Sequence, residues 1–213
     1  MSSLYLMAHY DDELFCLGKL FNEILNSSQG DSIVILHVFG TDNRQKKFIE
    51  ECLPQLNCFS KKVEEHFIDL EPLSSRLMDE ETNLRVINIL DELNRKYYFD
   101  KVYVPAADNH PDHCYVNHLA KLYFRPDRHS TIGQLLEFSV PGSDIGLDPK
   151  YITNTYFTIN QRIMQRFEKY FDVYRDDLRG KNSYEQYKKK LIYNGSIVDT
   201  EYAETYHSVF HII

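Results

Sequence analysis

The chain lacks the cysteine pattern and the apolar runs of disulfide-stapled or membrane-spanning proteins. None of its four cysteines forms a CxxC pair, and a chain of 213 residues does not need disulfides to hold a core. No run of about eighteen apolar residues occurs, and the first residues are not a basic segment followed by a long apolar run. These absences predict free thiols, no membrane span and a cytoplasmic protein.

Clustered positive charge is also missing. The 24 Lys and Arg residues are outnumbered by 32 Asp and Glu residues, so the formal net charge is -8. A general nucleic-acid-binding protein needs clustered Lys and Arg for its phosphate contacts. We therefore expect no nucleic-acid partner, although a few local basic residues such as Arg44 and Arg125 could hold a single phosphate or nucleotide group.

Apolar and aromatic residues, in contrast, are plentiful. Hydrophobic residues make up 43% of the chain, which contains 16 Tyr and 13 Phe, enough for a sizeable core. A chain of this length lies within the range of one domain. We therefore expect a single domain over residues 1–213.

Predicted strands and helices alternate along the first hundred residues. Apolar runs predict strands at 4–7, 32–39, 66–68 and 101–105. Apolar residues at helical spacing predict helices over about 13–25, 46–56 and 82–97. This alternation is typical of an α/β fold, and we expect a Rossmann-like three-layer sandwich around a largely parallel sheet.

The second half of the chain is less regular. It contains a predicted helix at 116–123, then a region of loops at 125–150 with one strand-like run at 135–140. A helix near 161–172, a charged tyrosine-rich stretch at 182–193 and a strand-like end at 206–213 follow. Tyr184, Tyr187 and Tyr193 could serve an interface as easily as a core, so a homo-oligomer is possible.

The first motif whose residues could bind a metal or take part in catalysis is His9-Tyr10-Asp11-Asp12-Glu13. It lies where a predicted strand ends and a helix begins, the position at which open α/β sheets bind ligands. His9 and Asp12 are three residues apart, so a turn of helix brings imidazole and carboxylate to one side, as two metal ligands require. Asp11 then points elsewhere.

The second motif is His110-Pro111-Asp112-His113, which also follows a predicted strand and leads into a helix. Either motif alone is more typical of a solvated helix start than of a site, but the two support each other. If the two strands are neighbours, His113 could complete a His-Asp-His set that leaves a position for water and substrate. Such a site accepts Zn²⁺ and also Fe²⁺, Co²⁺ or Mn²⁺.

Other polar residues have simpler interpretations. His37 lies in an apolar strand and is expected to be a core residue. Asp42 and Asn43 could line the same cleft with Arg44, but capping a helix is the preferred interpretation. Three further histidines lack a paired carboxylate, and we assign no function to His66, His118 and His129.

With the segments AHYDDE and HPDH, the sequence resembles the LmbE-like superfamily, also called PIG-L, of N-acetylglucosaminyl deacetylases, whose hallmarks are AHPDDE and HPDH. The residues Gly40-Thr41-Asp42-Asn43 are similar to a T-D-G-like loop of the family, and residues 202–206 are similar to its YAE-x-F segment. The resemblance spans nearly the whole chain. One departure is Tyr10, which replaces a proline whose ring would fix the backbone there.

The resemblance implies a function for each matched residue. His9, Asp12 and His113 would bind zinc. Asp11 would be the general base, while His110, with Asp112 as its partner, would polarise the amide carbonyl. Glu13 would support the start of the helix.

The implied activity is hydrolysis of the N-acetyl group of an N-acetylglucosamine-type amino sugar, by a metal-activated water with an Asp base. The implied partner is a small amino-sugar or glycoconjugate substrate. One alternative is a related metal hydrolase of another amide or ester. A second is a metal-free module that binds a nucleotide or sugar. No G-x-G-x-x-G fingerprint follows the first strand, and a binding module has no need of Asp11 and Asp12 beside His9.

Overall fold

The computed structural model of the protein describes residues 2–26, 28, 30–40, 43–58, 63–73, 79–125, 132–141, 153–178 and 183–211. Within them, seven strands form one sheet in the order β3-β2-β1-β4-β5-β7-β6. The strands are β1 (Ser2–Met7), β2 (Ile33–Phe39), β3 (Val63–Leu70), β4 (Phe99–Pro105), β5 (Gln134–Phe138), β6 (Thr155–Thr158) and β7 (Ala203–His211).

The first five strands are parallel, and β7 runs antiparallel to both β5 and β6. Every residue of β1 and β2 is buried, which explains why both strands are continuous apolar runs in the sequence rather than alternating ones. β1 pairs with β4 in a register that places Tyr5 beside Tyr103. The carboxyl ends of β1 and β4 therefore lie next to each other.

The helices are α1 (Leu17–Asn26), α2 (Asn43–Lys47), α3 (Leu53–Leu56), α4 (Glu80–Tyr97), α5 (Pro111–Tyr123), α6 (Gln161–Val173) and α7 (Tyr184–Ile197). A 3-10 turn over Asp12–Cys16 precedes α1, and a π turn over Phe48–Cys52 joins α2 to α3.

The sheet contributes side chains to two separate apolar clusters, and each cluster joins it to a different layer of helices. One contains side chains of α1, α3, α6 and α7, and the other contains side chains of α4 and α5. Strand residues alternate between them, because successive side chains of a strand point to opposite faces: Tyr5 and Met7 join the first cluster, Leu4 and Leu6 the second. The predicted α/β three-layer sandwich with a largely parallel sheet is confirmed.

Several predicted boundaries need correction. The helix predicted at 116–123 begins at Pro111, because His110 Nδ1 accepts a hydrogen bond from the Asp112 amide and proline suits the first helical position. The helix predicted at 46–56 begins at Asn43 and contains the π turn. β7 begins at Ala203 rather than at 206. Much of the region 125–150, predicted as loops, lies outside the described residues.

Two elements were not predicted. The tyrosine-rich stretch forms α7, in which Tyr187 and Leu191 are buried while Tyr193 is exposed. β6 has only four residues and pairs with β7 alone, at the edge of the sheet. Short edge strands carry little sequence pattern, since only one neighbour and part of one face constrain them. No described helix has both the length and the apolar composition needed to cross a lipid bilayer.

Candidate active site

The two motifs meet at the carboxyl edge of the sheet. His9 follows β1 and His113 lies in the first turn of α5, which follows β4. The ring centroids of His9 and His113 are 5.4 Å apart, and the ring of His110 lies 4.7 Å from His9 and 4.9 Å from His113. The prediction that the two strands are neighbours is therefore confirmed, and it brings three imidazoles together.

The donors at this edge fit a metal ion. Ligand atoms of His9, His110 and His113 all lie within 4.8 Å of one another. Asp12 is also within reach, because its Oδ1 is 3.3 Å from His113 Nε2 and its Oδ2 is 3.9 Å from His9 Nδ1. Asp12 Oδ2 accepts hydrogen bonds from the amides of Ala8 and His9, which leaves Oδ1 facing the histidines. Imidazole and carboxylate donors of this kind suit zinc and similar divalent ions.

Two buried carboxylates orient the histidines. His113 Nδ1 is 2.6 Å from Asp108 Oδ2, so its Nε2 faces Asp12. His9 Nε2 is 2.8 Å from Asp112 Oδ2, so its Nδ1 is the nitrogen nearer Asp12. Histidines that bind metals usually donate their other ring N–H to a carboxylate in this way. The geometry therefore turns the second ring nitrogen of each of these two histidines towards Asp12.

Asp112 thus contacts His9 more closely than it contacts His110, whose Nδ1 is 3.9 Å away. The other Asp112 oxygen accepts a hydrogen bond from the Leu73 amide at 2.7 Å. Burial alone would raise the pKa of the Asp112 carboxyl, but the hydrogen bonds from His9 and Leu73 lower it below its usual value. Asp112 is therefore an anionic partner of His9.

Asp108 was missed in the sequence analysis. It is buried, and its second oxygen accepts a hydrogen bond from the His110 amide at 2.6 Å. The available signal was an acidic residue placed two positions before the HPDH motif. Although burial disfavours a charged imidazole, Asp12 and Asp108 together raise the pKa of His113 to about 10.

Asp12 shows the complementary effect. Burial would raise its pKa, but the charge and hydrogen bond of His113 and the contacts with His9 outweigh burial and hold the pKa well below its usual range. Asp12 is therefore ionised at neutral pH, as a metal ligand must be.

Asp11 differs from Asp12 in both backbone and side chain. Its backbone has φ 126° and ψ -14°, in a region that side-chain-bearing residues rarely adopt. Its carboxylate oxygen Oδ2 accepts a hydrogen bond from Arg44 Nη1 at 2.9 Å. Burial, together with the nearby Asp12 carboxylate, raises the pKa of Asp11, and Arg44 opposes that rise. Asp11 is thus a carboxylate with an increased proton affinity beside the donor cluster.

The hydrogen bond between Arg44 and Asp11 brings the segment that follows β2 to the site. Arg44 lies on α2 and does line the cleft. Asn43 is the first residue of α2, while Asp42 lies outside the described residues. Arg125 follows the carboxyl end of α5, whereas the site lies at its amino end.

His110 is the most exposed of the three histidines, with 45% of its side chain accessible. Burial, together with the charges of His9 and His113, lowers its pKa, so the ring is neutral at pH 7. Because Nδ1 accepts from the Asp112 amide, the hydrogen of the neutral ring is on Nε2. His110 can therefore donate one hydrogen bond from Nε2.

His37 is buried in β2, as predicted. Its two ring nitrogens face buried carboxylates, with Nε2 3.6 Å from Glu13 Oε2 and Nδ1 3.6 Å from Glu65 Oε1. These distances exceed those of a hydrogen bond, so each contact is electrostatic and is an ion pair when the imidazole is protonated.

No protein-family profile matches the chain, and no curated protein matches it by sequence. Solved structures do match its fold. The deacetylase Dbv21 of the A40926 pseudoaglycone superposes with a TM-score of 0.74 at 14% identity, covering 99% of this chain and 98% of its own. N,N'-diacetylchitobiose deacetylase from Pyrococcus horikoshii superposes with a TM-score of 0.69 at 17% identity, covering 98% and 83%. The zinc-inhibited form of teicoplanin deacetylase Orf2 gives 0.70 at 13% identity, covering 98% and 97%.

These identities are low, so the comparison establishes the fold. The chain has the α/β fold of a class of deacetylases. The α/β fold that the resemblance of AHYDDE and HPDH implied is therefore confirmed.

Proposed function

We propose that the chain is a single-domain, metal-dependent hydrolase that removes an N-acetyl group from an amino sugar. One observation carries the proposal: His9 and His113 are each oriented by a buried carboxylate at one ring nitrogen, and both turn the other nitrogen towards Asp12. Three donor side chains from two separate motifs thus converge on one point, as a metal site requires.

His9, Asp12 and His113 would hold the metal, which we propose to be zinc, with Fe²⁺, Co²⁺ or Mn²⁺ as other occupants. A bound divalent ion would supply a Lewis acid and a water whose pKa falls to about 7. The teicoplanin deacetylase Orf2, which has this fold, is described in a zinc-inhibited form, and this supports an interaction of such proteins with zinc.

Asp11 is the proposed general base. Its carboxylate is held by Arg44 near the carboxylate of the ligand Asp12, where it would accept and return a proton. Burial and the Asp12 charge raise its proton affinity towards the range in which a base works near neutral pH. Asp11 would take a proton from the attacking water and deliver one to the leaving amine.

His110 is the proposed donor to the carbonyl oxygen. Its Nε2–H is free of the helix cap, and its half-exposed ring borders the donor cluster. As the amide carbon becomes tetrahedral, its oxygen gains negative charge, which a fixed hydrogen-bond donor stabilises. Asp112 and Asp108 would act through the histidines that they contact, without touching substrate.

The proposed substrates are amino sugars or glycoconjugates with an exposed N-acetyl group. The proposal is supported by structurally similar deacetylases that are named for N,N'-diacetylchitobiose, teicoplanin and the A40926 pseudoaglycone. The site is open at the end where the exposed His110 lies, so a large aglycone can remain outside the fold.

The first experiment measures metal content and acetate release together. Purified protein would be analysed for bound metal and assayed with N-acetylglucosamine and N,N'-diacetylchitobiose. His113→Ala should lose both metal and activity, whereas His118→Ala, an exposed histidine on the same helix, should keep both. Metal that persists in His113→Ala would contradict the proposed ligand set, and metal without acetate release from any acetylated sugar would contradict the proposed reaction.

A second pair of variants separates base from ligand. Asp11→Asn should keep its metal and lose turnover, while Asp12→Asn should lose the metal as well. His110→Ala should lower kcat about a hundredfold with a smaller change in KM, because its hydrogen bond strengthens in the transition state. Loss of metal from Asp11→Asn would show that Asp11 is a ligand.

A further inference from the structure

The strained backbone of Asp11 depends on a buried group outside the proposed reaction. A residue with φ 126° keeps that conformation only where its surroundings hold it. The Asp11 amide donates a hydrogen bond to Glu13 Oε2 at 3.0 Å, and the Asp11 carbonyl accepts one from the Leu14 amide at 3.2 Å. Glu13 thus holds the peptide that precedes Asp11.

Glu13 is fully buried and is itself held from two other elements. Its Oε1 accepts a hydrogen bond from the Tyr174 hydroxyl at 3.1 Å and lies 3.5 Å from the Tyr170 hydroxyl. Its Oε2, the atom that binds the Asp11 amide, is 3.6 Å from His37 Nε2. The Glu13 carboxylate cannot turn without breaking several contacts.

His37 connects Glu13 to a second carboxylate. Its Nδ1 is 3.6 Å from Glu65 Oε1, so the imidazole lies between two glutamates. Burial disfavours the charged ring, but the two glutamates outweigh burial and raise the pKa of His37. The edge of the ring also packs against Phe48, with centroids 4.8 Å apart.

Tyr10 completes a circuit of contacts that also contains Glu65, His37 and Glu13. Its ring stacks on the His37 ring at 3.9 Å between centroids, and its hydroxyl donates to Glu65 Oε1 at 3.0 Å. Tyr10 precedes Asp11 in the chain and follows His9. The contacts therefore run from Tyr10 through Glu65, His37 and Glu13 back to the amide of Asp11.

We propose that Tyr10 and His37 are positioning residues, which together with Glu13 and Glu65 hold the backbone of Asp11 and so set the direction of its carboxylate. The inference rests on the proposed function of Asp11 as base. The circuit is buried, so removing one polar member leaves its partners without a replacement from water, and the backbone that they hold can relax. None of the four side chains needs to touch the substrate for this effect.

The test is Tyr10→Phe, which keeps the ring stacked on His37 and removes the hydroxyl together with its bonds to Glu65 and Gln45. Its matched control is Tyr97→Phe, which removes a hydroxyl bond to the neighbouring Glu64 in the other apolar cluster. Tyr10→Phe should lower kcat about tenfold, with KM and metal content unchanged. Tyr97→Phe should leave kcat unchanged. His37→Gln should lower kcat further.

Crystal structures of the wild type and both Tyr10→Phe and His37→Gln supply a readout that does not depend on activity. The proposal expects Asp11 to leave its positive φ, or to occupy two conformations, in at least one variant. An unchanged Asp11 in both variants together with unchanged kcat would overturn it, as would an equal loss of kcat in Tyr97→Phe. A wild type that binds metal but releases no acetate would instead overturn the proposed function, and the Asp11 conformation would still decide the positioning claim.

Discussion

The contact between Asp108 and His113 allows a quantitative prediction about metal affinity. Asp108→Asn keeps the shape of the side chain and removes the negative charge that lies 2.6 Å from His113 Nδ1. Loss of a carboxylate that orients a ligating histidine typically weakens metal binding by about ten- to a hundredfold. This corresponds to about 1.4 to 2.7 kcal/mol of binding free energy.

The structure indicates why asparagine cannot replace the aspartate without loss. One Asp108 oxygen contacts His113 Nδ1, and the other accepts from the His110 amide at 2.6 Å. An asparagine has a single acceptor oxygen, so its NH₂ group must face one of these two donors. A buried donor left unsatisfied in this way costs about 1 to 3 kcal/mol of folding stability.

The assay is zinc competition against a chromophoric chelator at pH 7.5, below the melting temperature of the variant. Asp199→Asn is the control, because it makes the same chemical change at an exposed residue outside the two motifs. An affinity of Asp108→Asn within twofold of wild type would refute the argument that Asp108 orients a metal ligand. An equal loss in Asp199→Asn would show that the effect is unrelated to His113.

Three further predictions concern protons and packing. Because Asp12 and Asp108 raise the pKa of His113 to about 10, from an ordinary value of 6.5, the metal-free protein gains stability from this charge below pH 6.5 and loses it as the pH rises through about 10. Zinc binding at pH 7.5 should accordingly release about one proton from His113, and calorimetry in buffers of different ionisation enthalpy that detects no release would contradict this. Glu204→Ala removes the acceptor of the Gly18 and Lys19 amides. We expect the free energy of unfolding to fall by about 3 kcal/mol, which lowers Tm by about 6 to 12 °C in thermal denaturation. An unchanged Tm would count against this prediction. Gly195→Ala would place a Cβ 2.7 Å from the backbone oxygen of Thr200, so urea denaturation should show a loss of about 1 to 3 kcal/mol, and an equal midpoint would disprove the clash.

Part of the candidate site could be predicted before any coordinates, because the residues that carry it are short local motifs. His9 and Asp12 lie three apart, and His110 and His113 likewise, so each pair shares one turn of backbone whatever the rest of the chain does. The strand that precedes each motif is an apolar run, which follows from burial on both faces of a parallel sheet.

The partners of these residues could not be predicted in the same way. Asp112 could be assigned to His110, its near neighbour in sequence, but its short contact is with His9, 103 residues away. Asp108 and His37 belong to no sequence motif. Their functions depend on the side chains that the fold places beside them, which are His113 for Asp108 and two glutamates for His37. Tyr10 could be recognised as a departure from a proline, but its contact with Glu65 spans 55 residues.

The sequence by itself determined the alternation of strands and helices, the carboxyl-edge position of both motifs and the kinds of donor atoms present. These properties depend on periodicity and on neighbours within one turn. Only the tertiary structure decided that β1 and β4 are adjacent, which nitrogens of His9 and His113 face Asp12, and which buried groups hold Asp11. Those outcomes depend on the order of strands in the sheet, and that order is set by the packing of all seven strands and both helical layers together.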